Sequence, residues 1–456
     1  MSLFTIAWRS LQQRALSSWL TGLSMALGVA LVVIVLVVHG LVSRSFSEAA
    51  QGYHLIVGKK GSSLQLVFNT VFHLSRPIEN LPWAYYKEFK TGKFANTVEV
   101  AVPFCLGDSY KDFRVVGTTP DLFEKLSYGA YNDGTPKRYR CAQGRFFTTD
   151  KKDYFTAVIG SVAARQAGLS VGTKEHPNTF AVTHGLADDA TAHHHHEQFE
   201  VVGVLEPTGT PNDRAIFLNI EGFFLISGHA KDAPEEAKPG EKESPKADAA
   251  KPVSTNEKPE DRAHHEHKPL PENQREVTAI LLLLKHDAFA QTLYPIINEG
   301  DVAQAVFPSS EVTKLMEGMV GTVRWLLLIL SGLVVIVAGI GVMVSIYNSM
   351  NDRRRDIAIM RSLGAGRTTV MLVVLLESIM LSVLGGLAGV LLAHLAIGAA
   401  SDVIVGQTGV TVSMFHFDMV ELIVIPALVV LASLVGYLPA LAAYRTDVAK
   451  ALSAAR

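Results

Sequence analysis

Four long apolar runs constrain what this chain can fold into. Residues 19–38 and 325–347 contain no charged side chain, residues 370–397 carry two ionisable ones, and residues 422–443 again carry none. Each run reaches the roughly 20 residues that a helix needs to cross the hydrocarbon core of a bilayer. The sequence therefore predicts four transmembrane helices rather than the buried core helices of a large soluble protein.

Basic residues lie on one side of the predicted spans. Arg9 and Arg14 precede the first run, five arginines lie within 353–367, and residues 445–456 contain three more basic residues. The segment 401–421 has no lysine or arginine. By the positive-inside rule, both termini are expected in the cytoplasm and residues 41–320 outside it. The first run is too long for the apolar core of a typical signal peptide, so it is predicted to be an uncleaved anchor.

The segment between the first two spans is long enough to form a folded domain. Its pattern mixes strands and helices, which predicts an α+β fold. Single strands are expected at 52–58, 199–209 and 277–286. A hairpin is expected from the strands 98–107 and 112–120, with its turn at 108–111. The expected helices are 81–90, 288–299 and one that Gly168 ends. Residues 229–276 are rich in Lys, Glu, Pro and Ala without an aromatic residue, which predicts a disordered insertion.

Histidines are concentrated in the second half of this domain, where 11 of the 16 lie between His176 and His286. The set with metal-ligand chemistry is His184, His193, His194, His195 and His196, predicted in a polar loop, and His264, His265 and His267 in the insertion. Imidazole suits zinc, copper and nickel. Three interpretations stay open: weak capture or sensing of a divalent metal, a polar low-complexity loop without function, and pH sensing. Cys105 and Cys141 are the only cysteines. The sequence allows either a disulfide bond between them or two separate thiols.

The membrane segments contain one candidate intramembrane site and one packing motif. Glu377 is an ionisable residue inside a span, which makes it a functional candidate; the alternative is a carboxylate bonded to a neighbouring helix or to the arginine cluster. Gly385, Gly386 and Gly389 form a small-residue motif that allows close helix approach, within the chain or between two copies. The 456 residues contain no G-x-x-x-x-G-K-[ST] phosphate loop, so no nucleotide hydrolysis and no catalytic residue are expected.

The stretch "NDRRRDIAIMRSLGAGR" at 351–367 joins the second and third spans. Asn351 or Asp352 is predicted to cap a short helix that Gly364 ends. Ile357, Met360 and Leu363 give that helix an apolar stripe beside Arg353, Arg354, Arg355, Asp356 and Arg361. Such a helix at the membrane surface can seat in a groove of a cytosolic partner. The alternative is a signal for topology and nothing more.

Several of these stretches together resemble a known family. The segments are "IAWRSLQQRALSSWLTGLSMALGVALVV", the E-x-x-x-L-x-x-x-G-G-x-x-G run at 377–389, the ending "VGYLPALAAYRTDVAKALSAAR", and "AVIGSVAARQAGLSVGT" with "FEVVGVLEPTGTPNDRAIF" in the outer domain. The chain resembles the MacB/FtsX/LolC-E family of ABC transporter permeases, the mechanotransmission or type VII kind. It departs from the family pattern over 229–276, and it has Asp447-Val448 where the family often has a proline.

The resemblance implies a permease that acts with partners in the bacterial inner membrane. The expected partners are a second permease copy and a separate ATPase that binds ATP-Mg. A homodimer is favoured over a heterodimer. A periplasmic adaptor or lipoprotein is a further expected partner, and binding of nucleic acid is not expected. The implied function is coupling of ATP hydrolysis to motion of the outer domain, for export or for lipoprotein and envelope work. No cofactor is expected in the chain itself beyond loosely bound zinc. The alternatives are an FtsX-like regulator that activates a cell-wall hydrolase and a membrane-anchored metal sensor.

The predicted organisation is an amphipathic cytoplasmic helix (1–17), the first span and stalk (18–45), an outer α+β domain (46–320) with an inserted subdomain (145–228) and the disordered insertion (229–276), the second span (321–349), a coupling segment (350–368), the third span (369–399), an outer loop (400–419), the fourth span (420–444) and a cytoplasmic tail (445–456).

Overall fold

A computed structural model describes residues 2–13, 15–131, 133–173, 175–185, 193–226, 270–362, 364–408 and 421–445. The chain divides into two compact units. The membrane unit comprises Met1–Phe46 with Thr313–Arg456, and the inserted unit comprises Ser47–Val312. This division matches the prediction of a folded domain placed between the first two spans.

Within the described residues the helices are α1 (Leu3–Gln13), α2 (Ala15–Ala49), α3 (Ser63–Thr70), α4 (Trp83–Lys90), α5 (Asp121–Glu124), α6 (Ser161–Ala167), α7 (Ile220–Phe224), α8 (Ala288–Glu299), α9 (Pro308–Leu315), α10 (Gly321–Ser362), α11 (Arg367–Thr408) and α12 (Glu421–Tyr444). The strands are β1 (Leu55–Lys59), β2 (Leu81–Pro82), β3 (Val98–Tyr110), β4 (Phe113–Thr118), β5 (Ser127–Ala130), β6 (Pro136–Arg138), β7 (Cys141–Gly144), β8 (Thr156–Ile159), β9 (Thr179–His184), β10 (His193–Leu205), β11 (Ala215–Asn219), β12 (Glu276–Val277), β13 (Ala279–Leu284) and β14 (Ala303–Val306).

Four helical segments are long and apolar enough to cross a membrane, as the sequence predicts. They are Ser18–Phe46, Pro308–Tyr347, Arg367–Gln407 and Glu421–Ala442. Their buried sides form one apolar cluster that includes Val33, Val342 and Ala393, together with Leu11 of α1. Much of the remaining apolar surface of these helices is exposed, as in Trp325, which is expected of helices that face lipid.

Two helices extend beyond the predicted ends of their spans. The second apolar span ends at Tyr347, near the predicted residue 349, but helix α10 itself continues to Ser362. The sequence from 348 to 362 contains neither glycine nor proline, so nothing in it interrupts the backbone hydrogen bonds. Helix α11 likewise runs to Thr408, through the first part of the predicted outer loop at 400–419. Residues 409–420 and 446–456 lie outside the described part of the chain.

The inserted unit is built on a ten-stranded sheet. Its order is β14-β1-β13-β3-β4-β11-β8-β10-β7, and β9 pairs with both β10 and β3. Most neighbours are antiparallel, but β4 with β11 and β8 with β10 are parallel. The leucine run of β13 is almost entirely buried because β1 and β3 pair on its two sides. The strands of the predicted inserted subdomain continue this sheet beyond β4.

Helices cover the sheet with large apolar side chains. Tyr86 and Phe89 of α4 and Leu293 and Ile297 of α8 belong to the main buried cluster of the unit. Helix α6 ends where Gly168 takes the left-handed conformation, with φ of 72°, as its sequence predicts. The predicted strands at 52–58 and 277–286 and the helices at 81–90 and 288–299 are confirmed as β1, β13, α4 and α8.

Three predictions for the inserted unit are wrong. The hairpin does not turn at 108–111, because β3 continues through Asp108 to Tyr110. The histidines at 193–196 begin strand β10 rather than lying in a loop, since β9 pairs beside them. The last residues of the predicted disordered insertion are folded: Arg275 is 7% exposed and donates to both carboxylate oxygens of Glu221 at 2.8 and 2.9 Å. Residues 227–269 lie outside the described part.

Candidate functional site

The arginine-rich stretch is the C-terminal part of α10 and not a separate helix. Asn351 and Asp352 lie inside the helix and therefore cannot cap it, which corrects the prediction. At 1.5 Å per residue, α10 is about 63 Å long, roughly twice the hydrocarbon thickness of a bilayer. The backbone that carries Arg353, Arg354, Arg355 and Asp356 is helical, while their side chains lie outside the described part.

The apolar stripe of this segment faces the chain itself. Ile357 is 3% exposed and belongs to the same buried cluster as Ala7 and Val370. Met360 packs against that cluster, and Leu363 lies outside the described residues. Ile359, by contrast, is 42% exposed. The predicted use of Ile357 as a contact for another protein therefore does not fit its position, because its side chain is already covered.

Gly364 ends α10, as the sequence predicts. It takes a φ of 101°, a conformation that favours glycine. Its N–H donates to the Arg361 carbonyl at 3.1 Å, and the Ala365 N–H donates to the Met360 carbonyl at 3.0 Å. These two bonds are those of a Schellman motif, which satisfies the last carbonyls of a helix. The stop fixes where the helix carrying Arg361 ends and the connection to α11 begins.

The glycine motif of α11 packs against two other helices of the same chain. A Cβ added to Gly385 would lie 3.0 Å from the Gly22 carbonyl oxygen, and one added to Gly389 would lie 2.8 Å from the Cβ of Val29. Both contacts are with α2. Gly386 faces Leu428 of α12. The motif allows close packing either within the chain or between two copies. These three glycines pack against helices of the same chain.

Polar side chains are buried in the same helix. Glu377 is 3% exposed, and Ser378 and Ser382 are almost fully buried. Further along α11, His394 Nε2 lies 2.9 Å from Oε2 of Glu421, the first residue of α12. Sequence reasoning noticed His394 as a break in an apolar run but did not predict its partner. The sequence signal that could have predicted this pair is Glu421, an ionisable residue at the start of the following span.

In the inserted unit, one of the predicted metal ligands, His184, is hydrogen-bonded to a carboxylate. His184 Nδ1 is 3.0 Å from Asp108 Oδ1; the Asp108 side chain is 0% exposed and the His184 side chain is 58% exposed. The hydrogen bond to Asp108 raises the pKa of His184, against a smaller opposing effect of burial. The backbone register places Asp108 opposite His184 on β3 and His193 opposite His184 on β10. Three strands therefore carry these three residues side by side.

The other predicted metal ligands are less defined. His196 is exposed on β10. The structure does not describe the side chains of His193, His194 and His195. It does not describe any part of His264, His265 and His267. Among the side chains that the structure does describe, no three His, Cys, Asp or Glu groups lie close enough together to hold a metal ion. A metal site that used described residues alone would thus be incomplete.

The two cysteines are separate thiols. Cys105 is buried on β3, where its Sγ lies 3.4 Å from the Glu276 carbonyl oxygen, and burial raises its pKa. Cys141 on β7 is half-buried, and burial raises its pKa to about 11. A raised pKa leaves little thiolate at neutral pH, so neither group is disposed to act as a nucleophile.

A carboxylate that the sequence did not single out organises a turn of the inserted unit. Asp153 is 1% exposed and accepts from both terminal nitrogens of Arg145 at 2.7 Å, and from the Thr148 N–H at 2.8 Å. Burial alone would raise the pKa of Asp153, but these hydrogen bonds outweigh it and lower the pKa to about 2. The arrangement holds the turn before β8.

Comparison with known families gives two matches in different parts of the chain. Residues 18–239 match the MacB-like periplasmic core domain, and residues 328–448 match the FtsX-like permease C-terminal domain. The first match covers α2 and most strands of the inserted unit. The second covers α11, α12 and most of α10.

Individual relatives are similar over shorter stretches. The macrolide export ATP-binding/permease protein MacB of Mannheimia succiniciproducens is 27% identical over 162 residues, which are 36% of this chain and 24% of the relative. The uncharacterized ABC transporter permease YknZ of Bacillus subtilis is 33% identical over 97 residues, 21% of this chain and 22% of that one. The pyoverdine export ATP-binding/permease protein PvdT of Pseudomonas syringae pv. tomato is 34% identical over 122 residues, 27% of this chain and 17% of the relative. Each match spans less than a quarter of the relative's length.

Proposed function

Because this chain is an ABC transporter permease of the MacB/FtsX type, we propose that it couples ATP hydrolysis by a separate ATPase to motion of its inserted unit during export. Export is favoured over regulation of a cell-wall hydrolase because relatives such as MacB and PvdT are named as exporters. The 456 residues contain no phosphate-binding loop, which supports a non-catalytic role for this chain.

The observation that carries the proposal is the continuity of one helix. Within the membrane unit, α10 runs without a break from Gly321, through the second span, to the arginine-rich segment and Ser362. A helix resists bending because each turn is hydrogen-bonded to the next. A displacement of its arginine-rich end is therefore passed along the span, whereas a loop at residue 350 would absorb it.

The ATPase contact in this proposal lies on the exposed side of the end of α10. Ile359 is 42% exposed and Ser362 and Arg367 are exposed, while Ile357 is covered by the chain itself. An exposed aliphatic side chain beside arginines is the combination that a partner groove with acidic groups would bind. Arg353, Arg354, Arg355 and Arg361 supply the positive charge of this segment.

The proposal extends to the wider assembly, with support from the family and the charge pattern. We place a second copy of the permease beside the first, the inserted unit on the periplasmic side of the bacterial inner membrane, and the arginines in the cytoplasm. A periplasmic adaptor or lipoprotein would meet the inserted unit.

Recovery of the ATPase with the permease tests the proposal. The full chain is purified in detergent from its native host, and the ABC ATPase that accompanies it is quantified. Ile359→Asp should lower that recovery about tenfold or more, since one lost interface anchor is worth at least about 1.4 kcal/mol. Val302→Asp is the matched control, because Val302 is an equally exposed aliphatic residue (45%) of the inserted unit. No ATPase with the unmodified chain, or equal recovery with both variants, contradicts the proposal.

A further inference from the structure

A cavity of about 520 Å³ opens at the surface of the inserted unit, and the coupling proposed above makes no use of it. Five stretches of the chain contribute to its lining: 50–54, 125–127, 136–138, 283–291 and 307–309. All of them belong to the inserted unit, so the cavity is a feature of that unit alone. Its volume lies within the range of roughly 300–1,000 Å³ that is common for small-molecule sites.

The walls of the cavity are fixed to one another. Gly52 takes a φ of 98°, and a Cβ at this position would overlap the Ser127 carbonyl oxygen, so only glycine lets these two segments come so close. Ser127 in turn pairs with Arg138 across β5 and β6. Lys137 Nζ, next to Arg138, lies 2.8 Å from Glu48 Oε2, and both side chains are largely buried. The cavity is therefore built into the fold before any ligand arrives.

Part of the lining is apolar. Leu283 is the one residue of β13 that is not fully buried, and its side chain lines the cavity. Ala290 of α8 and Phe307 line it as well. Phe307 is held in place by stacking on Tyr294, with the ring centroids 5.0 Å apart. The apolar part of a ligand that covers these side chains would remove both surfaces from water, which favours binding.

The lining also contains a guanidinium with unused hydrogen-bond donors. Arg138 Nη1 donates to the carbonyl oxygens of Lys125 and Leu126, at 2.5 and 3.3 Å, and these bonds orient the side chain. Among the described residues, no group accepts a hydrogen bond from Nε or Nη2 of Arg138. These two nitrogens point the same way, and such a fork matches the two oxygens of one carboxylate.

The other charged groups of the lining are already engaged. Lys125 Nζ lies 2.8 Å from Asp121 Oδ1. Both ring nitrogens of His54 are hydrogen-bonded, and its Nε2 lies 2.9 Å from Asp287 Oδ1. The Asp287 side chain is 93% exposed, so water and salt screen its negative charge. Arg138 is therefore the lining group that remains to bind the charge of a ligand.

From this arrangement we propose that the cavity binds a small molecule in which one carboxylate is joined to an apolar body. Arg138 binds the carboxylate, and Leu283, Ala290 and Phe307 cover the apolar body. The exposed Gln291 also belongs to the lining, and its amide adds a donor and an acceptor for polar groups of the ligand. An N-acylated amino acid with an apolar side chain has this chemistry. The proposal does not depend on an ATPase or on export.

Fluorescence titration of the full chain tests the site directly. The chain is purified in detergent and titrated with dansyl-leucine, and separately with dansyl-leucinamide, which is the same molecule without the carboxylate. Dansyl-leucine should bind once per chain and about tenfold or more tightly than the amide, because only the carboxylate forms charge-assisted hydrogen bonds. Arg138→Gln should weaken binding of dansyl-leucine about tenfold or more and change that of the amide by less than about twofold.

The matched control for charge is Arg140→Gln, since Arg140 is exposed, lies two residues further along and is not part of the lining. Gln291→Trp tests the cavity independently of Arg138, because an indole at this position should fill the space and weaken both probes about tenfold or more. Thr292→Trp is its control: Thr292 is the next residue of α8, is also exposed and is not part of the lining. Both controls should stay within about twofold of the parent chain. The melting temperature of each variant shows whether the inserted unit still folds.

Two outcomes overturn the proposal. One is an absence of dansyl-leucine binding above that of the double variant Arg138→Gln with Gln291→Trp in the same detergent. The other is binding that neither Arg138→Gln nor Gln291→Trp weakens, which would mean that the probe binds to detergent or to the membrane helices. Because the assay contains no ATPase, its result is independent of the coupling experiment with Ile359→Asp.

Discussion

His394 on α11 and Glu421 at the start of α12 form a buried pair, with 2.9 Å between Nε2 and Oε2 and only 7% of each side chain exposed. The two helices pack against each other, and this bond joins the second half of α11 to the first residue of α12. A polar pair in such surroundings is costly to break, because the remaining partner stays buried.

We expect His394→Ala and Glu421→Ala each to destabilise the detergent-solubilised chain by about 1–3 kcal/mol, since each variant removes the partner of a buried polar group. The double variant should cost less than the sum of the two, because the interaction can be lost only once. Unfolding in a denaturant series gives all three values. Strict additivity would show that the two side chains do not stabilise each other.

Gly389 supports a second prediction, on the packing of α11 against α2. A Cβ at this position would come within 2.8 Å of the Val29 Cβ, so Gly389→Ala must move the helices apart. The control is Gly332→Ala in α10, where nothing lies within 4 Å of the added Cβ. The control should be neutral or up to about 1 kcal/mol more stable through helix propensity, and Gly389→Ala should be less stable than the parent chain. Unfolding that is equal in both variants would contradict the close approach.

Asp153 gives a prediction with a pH dependence. Its pKa of about 2 in the folded chain is below the ordinary value of 3.8. A carboxylate with a lowered folded pKa stabilises the fold above its unfolded pKa, and the contribution is lost as the pH falls from about 4 to about 2. Hydrogen–deuterium exchange in the peptide that contains β8 should therefore speed up over this interval in the parent chain, beyond the intrinsic change of exchange with pH.

In Asp153→Ala the same peptide should exchange faster at pH 7, because Arg145 and the Thr148 N–H lose their acceptor, at a cost of about 1–3 kcal/mol. Asp150→Ala is the control: Asp150 is 62% exposed and lies 3.3 Å from Lys152, so its loss should change little. An Asp153→Ala peptide that matches the parent at pH 7 would mean that the carboxylate is not important for this turn.

The parts of the structure that follow from local pattern could be predicted from the sequence. The spans were predicted by their apolar length, and the ends of α6 and α10 by Gly168 and Gly364, because these signals depend on neighbours along the chain. Of the predicted apolar stripe, Ile357 and Met360 do share one buried side of the helix. What this side packs against could not be predicted, since Ala7 lies 350 residues away along the chain.

The same limit applies to the histidines. Residues 193–196 are polar and carry no alternation, so nothing local indicates a strand. They form one because β9 pairs with β10 on one side and with β3 on the other. Asp108 is 76 residues from His184, and their contact depends on that sheet order. The metal interpretation of these histidines stays a prediction.

The orientation of the membrane unit can be checked by cysteine labelling. In a background of Cys105→Ala and Cys141→Ala, Val302→Cys tests the inserted unit and Thr368→Cys tests the beginning of α11, and both positions are exposed. The positive-inside rule predicts that a membrane-impermeant maleimide labels Val302→Cys in intact spheroplasts and Thr368→Cys only after lysis. The reverse pattern would place the arginines outside the cytoplasm.

Proline at residue 352 distinguishes a continuous α10 from a short helix that begins after the span. Proline is tolerated at the first position of a helix, but inside a helix it removes a hydrogen bond and clashes with the preceding turn, at a cost of about 3 kcal/mol or more. Because Asp352 lies inside α10, Asp352→Pro should bend or break the helix between the span and Arg361. Asp352→Ala removes the same carboxylate without this effect and serves as the control.

If the unbroken helix transmits motion, Asp352→Pro should separate two activities of the complex. The ATPase should still be recovered with the permease, because Ile359 and Arg361 lie beyond the break, while ATP-dependent export in reconstituted vesicles should fall at least tenfold relative to Asp352→Ala. Spin labels on either side of residue 352 report whether the helix has bent. Export that is unchanged in a chain whose helix is measurably bent would mean that α10 does not have to be rigid, and that the force is passed through another part of the membrane unit.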